Sequence, residues 1–197
     1  MAVINGTSGN DSLVGTAGNG TLIGLAGMDT LQGLAGDDSL AGGDGIDFLE
    51  GGPGDDTLDG GGSFDLADYR NSAGAVVVSL ATGIATGDGT DTLVGIEGAI
   101  ASAFADRLTG DAGDNQFQGL EGVDTIDGGA GNDQLSYTLA SAAVSVNLAT
   151  GMVTGPHGAD VFPNIEGAVG SAFGDLLVGE AFMRAPDPGK ALRALFD

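Results

Sequence analysis

Between Gly6 and Asp68 the chain repeats every nine residues without a gap: GTSGNDSLV, GTAGNGTLI, GLAGMDTLQ, GLAGDDSLA, GGDGIDFLE, GGPGDDTLD and GGGSFDLAD. Fourth positions hold Gly9, Gly18, Gly27, Gly36, Gly45 and Gly54, with Ser63 closing the series. Sixth positions hold Asp11, Gly20, Asp29, Asp38, Asp47, Asp56 and Asp65, and eighth positions hold Leu13, Leu22, Leu31, Leu40, Leu49, Leu58 and Ala67. A unit this small cannot bury an apolar face alone, so it must stack on its neighbours.

Each unit divides into a glycine-rich hexad and a three-residue strand such as Thr30-Leu31-Gln32. Glycine supplies the backbone freedom that a tight loop needs. In so short a strand only the central residue faces inward, which accounts for one leucine in nine. Two units make one 18-residue coil of a parallel solenoid, and the leucines of its two sides meet as a thin core. The stacking predicts Asp29, Asp47 and Asp65 on one edge, with Asp38 and Asp56 on the other.

The pattern Gly-Gly-x-Gly-x-Asp-x-apolar-x resembles the RTX (repeats-in-toxin, haemolysin-type) calcium-binding nonapeptides, with Thr or Leu often at the second position and Gly20 where an aspartate is expected. The resemblance implies an all-β, right-handed parallel β-roll or β-helix, Ca2+ as its ligand, and a secreted or cell-surface location. It also implies export by a type I secretion machinery.

A longer repetition covers the rest of the chain. SLATGIATGDGTDTLVGIEGAIASAFADRLTGDAGDN (79–115) recurs as NLATGMVTGPHGADVFPNIEGAVGSAFGDLLVGE (147–180), and between them lie the nonapeptides ASAFADRLT, GDAGDNQFQ, GLEGVDTID and GGAGNDQLS. The organisation is therefore a first block (5–69), a strand-rich spacer (70–100), a second block (101–136), a second spacer (137–170), the start of a third block (171–180) and a non-repeat tail (181–197). Val76, Val78 and Leu80, like Val144, Val146 and Leu148, alternate as half-buried strands. Tyr69 and Tyr137 each close a block and read as caps on the ladder.

Charge narrows the function. The 197 residues carry 28 Asp and Glu against five Lys and Arg, a net charge of −23, with 39 Gly and no Cys. No basic stripe exists to neutralise phosphates, which argues against nucleic acid. Nor does any apolar run of about 18 residues suggest a membrane span. Absence of Cys excludes disulfides and thiolate metal sites. Carboxylates stacked about 4.8 Å apart repel one another, and a hard divalent cation between them reverses the sign. Calcium takes six to eight oxygens from carboxylates and carbonyls in flexible geometry, whereas magnesium demands a tighter octahedron. Zinc and copper would want more than the single His157.

The candidate ligands are Asp11, Asp29, Asp38, Asp47, Asp56, Asp65, Asp106, Asp124, Asp133 and Asp175, together with Asp91 and Asp160 in isolated hexads. Carbonyls of the loop glycines assist them, at Gly27, Gly36, Gly45, Gly54, Gly122 and Gly131. Asn115 keeps an oxygen at its sixth position but lacks the charge. Acidic fifth positions such as Asp37 and Asp55 are expected to face solvent.

With so thin a core, the calcium-free chain is expected to be largely disordered and to fold as calcium binds. Two other readings stay open: an adhesive or matrix scaffold presenting a face to extracellular glycan, and an accessory fragment of a larger secreted enzyme. No G-x-S-x-G, H-E-x-x-H or Walker A motif occurs, so the chain itself is not expected to be an enzyme. The tail AFMRAPDPGKALRALFD reads as a solenoid cap, a secretion signal or the end of a fragment, with a short helix over 190–196.

Overall fold

The computed structural model describes residues 2–155 and 158–179, and no helix occurs among them. His157 and the 181–197 tail, with its expected helix, lie outside the described residues.

The nine-residue period builds two parallel sheets lying back to back. On the first face Ala2–Asn5, Gly20–Ala26, Ser39–Asp44 and Thr57–Gly62 pair in parallel, placing Ile4, Leu22, Leu40 and Leu58 in register. On the second, Ser12–Val14, Thr30–Gln32, Phe48–Glu50 and Leu66–Asp68 align Leu13, Leu31, Leu49 and Ala67. Both ladders belong to one apolar cluster, in which Leu31, Leu40, Leu49 and Leu58 are fully buried. The result is the parallel β-roll expected from two units per coil.

The two faces differ in one respect that the uniform repeat conceals. Strands on the second face are three residues long, whereas Gly20–Ala26, Ser39–Asp44 and Thr57–Gly62 on the first run on into the next loop, so that Leu25 pairs with Gly43 and Gly43 with Gly61. Gly43 permits this stacking because a side chain there would collide with the Leu25 carbonyl.

The spacers stay within the roll. Thr90–Val94 pairs in parallel with Thr57–Gly62, then antiparallel with Ile84–Thr86, which is antiparallel to Val77–Ser79; that strand pairs in parallel with Arg107–Thr109. A three-strand meander thus carries the first face across the spacer. The second face stays parallel throughout, Ala67, Ala99, Phe117, Leu135 and Ala168 continuing its inward ladder. Val76, Val78 and Leu80 are buried, as their alternation predicts, and so are Val144 and Val146. The second spacer repeats the meander with Ser145–Asn147, Met152–Thr154 and an isolated bridge at Val161.

Candidate metal centre

Stacking at an 18-residue register brings the sixth-position aspartates into two files, one along each edge of the roll. Along one edge the backbone N–H of Asp11 donates to Asp29 Oδ1, that of Asp29 to Asp47 Oδ1 and that of Asp47 to Asp65 Oδ1, each at 2.8 Å. Along the other, the N–H of Gly20 donates to Asp38 Oδ1 at 2.6 Å, that of Asp38 to Asp56 Oδ1 at 2.8 Å and that of Asp56 to Asp91 Oδ1 at 3.0 Å. The second block repeats the pattern, Asp106 N–H donating to Asp124 Oδ1 and Asp124 N–H to Asp160 Oδ1. One oxygen of each carboxylate therefore ties two coils together. The other oxygen divides the files into two classes.

In the first class Oδ2 is buried and has no hydrogen-bond partner: Asp29, Asp38, Asp47, Asp56, Asp65, Asp124 and Asp133. Each oxygen lies against the first glycine of its own unit. A side chain at Gly33 would put its Cβ 2.6 Å from both Asp38 Oδ2 and the Gly51 carbonyl oxygen of the next coil. Gly24, Gly42 and Gly60 face the same combination of carboxylate and next-coil carbonyl, and Gly119 faces Asp124 Oδ2. Only glycine leaves this oxygen-lined space open.

In the second class Oδ2 is covered by the protein. The Thr7 N–H and hydroxyl donate to Asp11 Oδ2 at 2.6 and 2.9 Å. The Ser102 N–H and hydroxyl donate to Asp106 Oδ2 at 2.8 and 2.9 Å. At Asp175, the Ser171 N–H donates to Oδ2 and its hydroxyl to Oδ1. The two spacer aspartates are covered by tyrosines instead, the Tyr69 hydroxyl reaching Asp91 Oδ2 at 2.9 Å and the Tyr137 hydroxyl Asp160 Oδ2 at 3.5 Å. Both tyrosines are buried, so they close a rung from within the roll.

The second residue of the hexad separates the open loops from the hydroxyl-covered ones. At the seven open rungs this residue is left-handed: Leu25, Leu34, Gly43, Gly52, Gly61, Leu120 and Gly129. At the rungs of Asp11, Asp106 and Asp175 it is Thr7, Ser102 or Ser171, whose hydroxyl also accepts the N–H of Gly9, Phe104 or Phe173 two residues on. Such a side-chain turn holds the N–H of the second residue toward the carboxylate. Leucine and glycine cannot form that turn, and the loop flips. Asn115 belongs with the latched loops, because Asp111 latches onto the Gly113 N–H while the Asp111 N–H donates to Asn115 Oδ1.

Burial raises carboxyls of both classes, Asp91 and Asp106 among the covered ones. Burial pushes the carboxyl of Asp56 up to about 7, that of Asp65 to about 6 and that of Asp124 to about 8, with the neighbouring aspartates adding to the rise. Asp38, Asp47 and Asp133 move in the same direction, again through burial first. Asp175 is instead held below its usual range by the Val144 N–H and the Ser171 hydroxyl. Asp37 and Asp55 face solvent, as expected for fifth positions.

These residues fit calcium. A buried anionic oxygen without a donor is costly unless a cation meets it, and the carbonyl beside it is the second oxygen type that calcium accepts. Among the described residues no three carboxylates or imidazoles converge on a single point. A cation here would therefore fill its shell from backbone carbonyls as well as aspartate. The fourth-position glycines Gly27, Gly36, Gly45, Gly54, Gly122 and Gly131 are all left-handed and form a separate file. The first-position glycines, a different set, are the ones that abut the free oxygens: that position is Gly at all seven open rungs, whereas the covered rung of Asp106 has Ala101 there.

Fold and donor set together define a calcium-binding parallel β-roll. Four segments, 5–40, 14–49, 32–67 and 100–135, match the RTX calcium-binding nonapeptide repeat and together cover just over half of the chain. The chain belongs to that family. No curated protein matches it.

Proposed function

We propose that this chain is a secreted or cell-surface module whose folding is triggered by extracellular calcium, with a binding and structural role and no catalytic one. The observation that carries the reading is the set of seven buried, donor-less carboxylate oxygens on adjacent coils. Without a cation they oppose the roll; with one, each becomes a link between coils. Calcium is scarce inside cells and abundant outside, so a chain built this way would be exported unfolded and would order itself after release. Asp29, Asp38, Asp47, Asp56, Asp65, Asp124 and Asp133 would hold the ions with help from neighbouring carbonyls. Asp11, Asp91, Asp106, Asp160 and Asp175 would serve as metal-independent rungs. Far-UV circular dichroism during a calcium titration tests this: the β signal should be weak in excess chelator and grow cooperatively with calcium. A full β signal in chelator at neutral pH would refute it.

A further inference from the structure

The file of acids that starts at Asp11 does not end with the first block. The N–H of Asp65 donates to Glu97 Oε2 at 2.9 Å, and that of Asp133 to Glu166 Oε2 at 2.9 Å. Glu97 and Glu166 thus occupy the rung where another sixth-position aspartate would stand, but they come from the spacers, in Ile96-Glu97-Gly98 and Ile165-Glu166-Gly167, outside the segments that match the nonapeptide.

The space beside them is built like the other open rungs. Asp65 and Asp133 are both 0 % exposed, and the Oδ2 of each is without a hydrogen-bond partner. A Cβ at Gly60 would meet Asp65 Oδ2 at 2.6 Å and would collide with the Gly95 carbonyl; one at Gly128 would meet Asp133 Oδ2 at 2.7 Å and collide with the Asn164 carbonyl. Gly95 and Asn164 share a φ of 55°, so the two spacers deliver that carbonyl with the same backbone turn. The opposite edge differs: there the spacer aspartates Asp91 and Asp160 are covered by tyrosine hydroxyls. A glutamate is one methylene longer than aspartate and can reach the file from a strand whose loop does not follow the nine-residue path.

We propose that Glu97 and Glu166 are calcium ligands that complete two sites with Asp65 and Asp133, carrying one edge of the ion array across each block-to-spacer junction while tyrosine closes the other edge. This rests on the calcium reading above. Each glutamate supplies the carboxylate that the missing nonapeptide aspartate would have given.

The test is calcium binding to the full chain, measured by equilibrium dialysis and calorimetry, with circular dichroism at saturating calcium as the control for folding. Glu97→Gln and Glu166→Gln keep the oxygen that accepts the Asp65 or Asp133 N–H, so a purely structural role predicts an unchanged ion count and an unchanged midpoint. The proposal predicts one ion fewer, or one ion bound more weakly, in each variant and twice the loss in the double variant. A variant that fails to fold at calcium concentrations that fold the parent also supports it, because only the charge has been removed. Raising the calcium concentration should then recover folding of Glu97→Gln, as mass action requires of a weakened site, and no recovery would overturn the proposal. Asp47→Asn separates the two readings: if it lowers the count while the glutamate variants change nothing, this proposal is overturned and the calcium reading stands; if it too changes nothing, the calcium reading falls first.

Discussion

Asp47 Oδ1 accepts the backbone N–H of Asp29 from the preceding coil at 2.8 Å, while Asp47 Oδ2 is buried without any partner. One side chain therefore both secures the stacking of two coils and opposes it. Which effect dominates depends on whether a cation meets the second oxygen.

Asp47→Asn separates these effects by sign. The amide keeps an oxygen for the Asp29 N–H and removes the buried charge. In chelator the variant should populate the roll more than the parent; in saturating calcium it should be less stable, by about 1–3 kcal/mol. Urea melts under both conditions provide the comparison, and a change of the same sign in both would contradict the account.

The latch at the second position makes a prediction about ion number. Leu34 already holds a side chain in the left-handed conformation at an open rung. Leu34→Ser should allow the serine to donate to Asp38 Oδ2 as Ser102 does to Asp106, with its turn drawing the Gly36 N–H away from the Pro53 carbonyl that now accepts it. The variant should fold and bind one calcium fewer. The converse change, Ser102→Leu, should leave Asp106 uncovered and raise the calcium needed for folding. An unchanged ion count in Leu34→Ser would remove the latch from the argument.

Tyr69→Phe takes away the hydroxyl that covers Asp91 Oδ2 at 2.9 Å. Leaving that buried oxygen unpaired should cost about 1–3 kcal/mol in calcium-saturated protein, visible as a lower thermal midpoint. A variant as stable as the parent would mean that the hydroxyl contributes nothing to the spacer rung.

Proton binding competes with calcium at the open rungs. The folded-state values of Asp56, Asp65 and Asp124, about 7, 6 and 8, lie above the ordinary aspartate value of about 4. The calcium-free roll therefore binds protons that the unfolded chain has released. Its stability grows as pH falls from about 8 to about 4 and is lost as pH rises through the folded-state values. In chelator, circular dichroism should report more β structure at pH 5 than at pH 8. Where acid has populated the protonated roll, near pH 5, calcium binding should release protons, so the calcium midpoint should rise on acidification; at pH 8, where the calcium-free chain is unfolded with its aspartates already ionised, binding should release none. A midpoint that falls on acidification would contradict this linkage.

Much of the architecture was legible because a strict period leaves little freedom. Leu31, Leu40 and Leu49 at nine-residue intervals fix two inward ladders, and Asp29, Asp38 and Asp47 must then alternate between edges. The two classes of aspartate were not separated at that level. Asp11 and Asp29 occupy equivalent positions in their units, and only Thr7 against Leu25 at the second position distinguishes a latched loop from an open one. That signal lay in the sequence but needed the hydrogen bonds to give it meaning. Glu97 and Glu166 were hidden because the spacer breaks the period; the recurrence of Ile-Glu-Gly-Ala at 96–99 and 165–168 was their trace. The antiparallel meander was half legible, since Val76, Val78 and Leu80 announce a strand but not its partner.

Diffraction from calcium-grown crystals, with anomalous maps collected at long wavelength, tests the central claim most directly. Peaks are predicted beside the Oδ2 atoms of Asp29, Asp38, Asp47, Asp56, Asp65, Asp124 and Asp133, and none beside those of Asp11, Asp106 and Asp175. Peaks at the hydroxyl-covered aspartates, or seven open rungs without any, would contradict it.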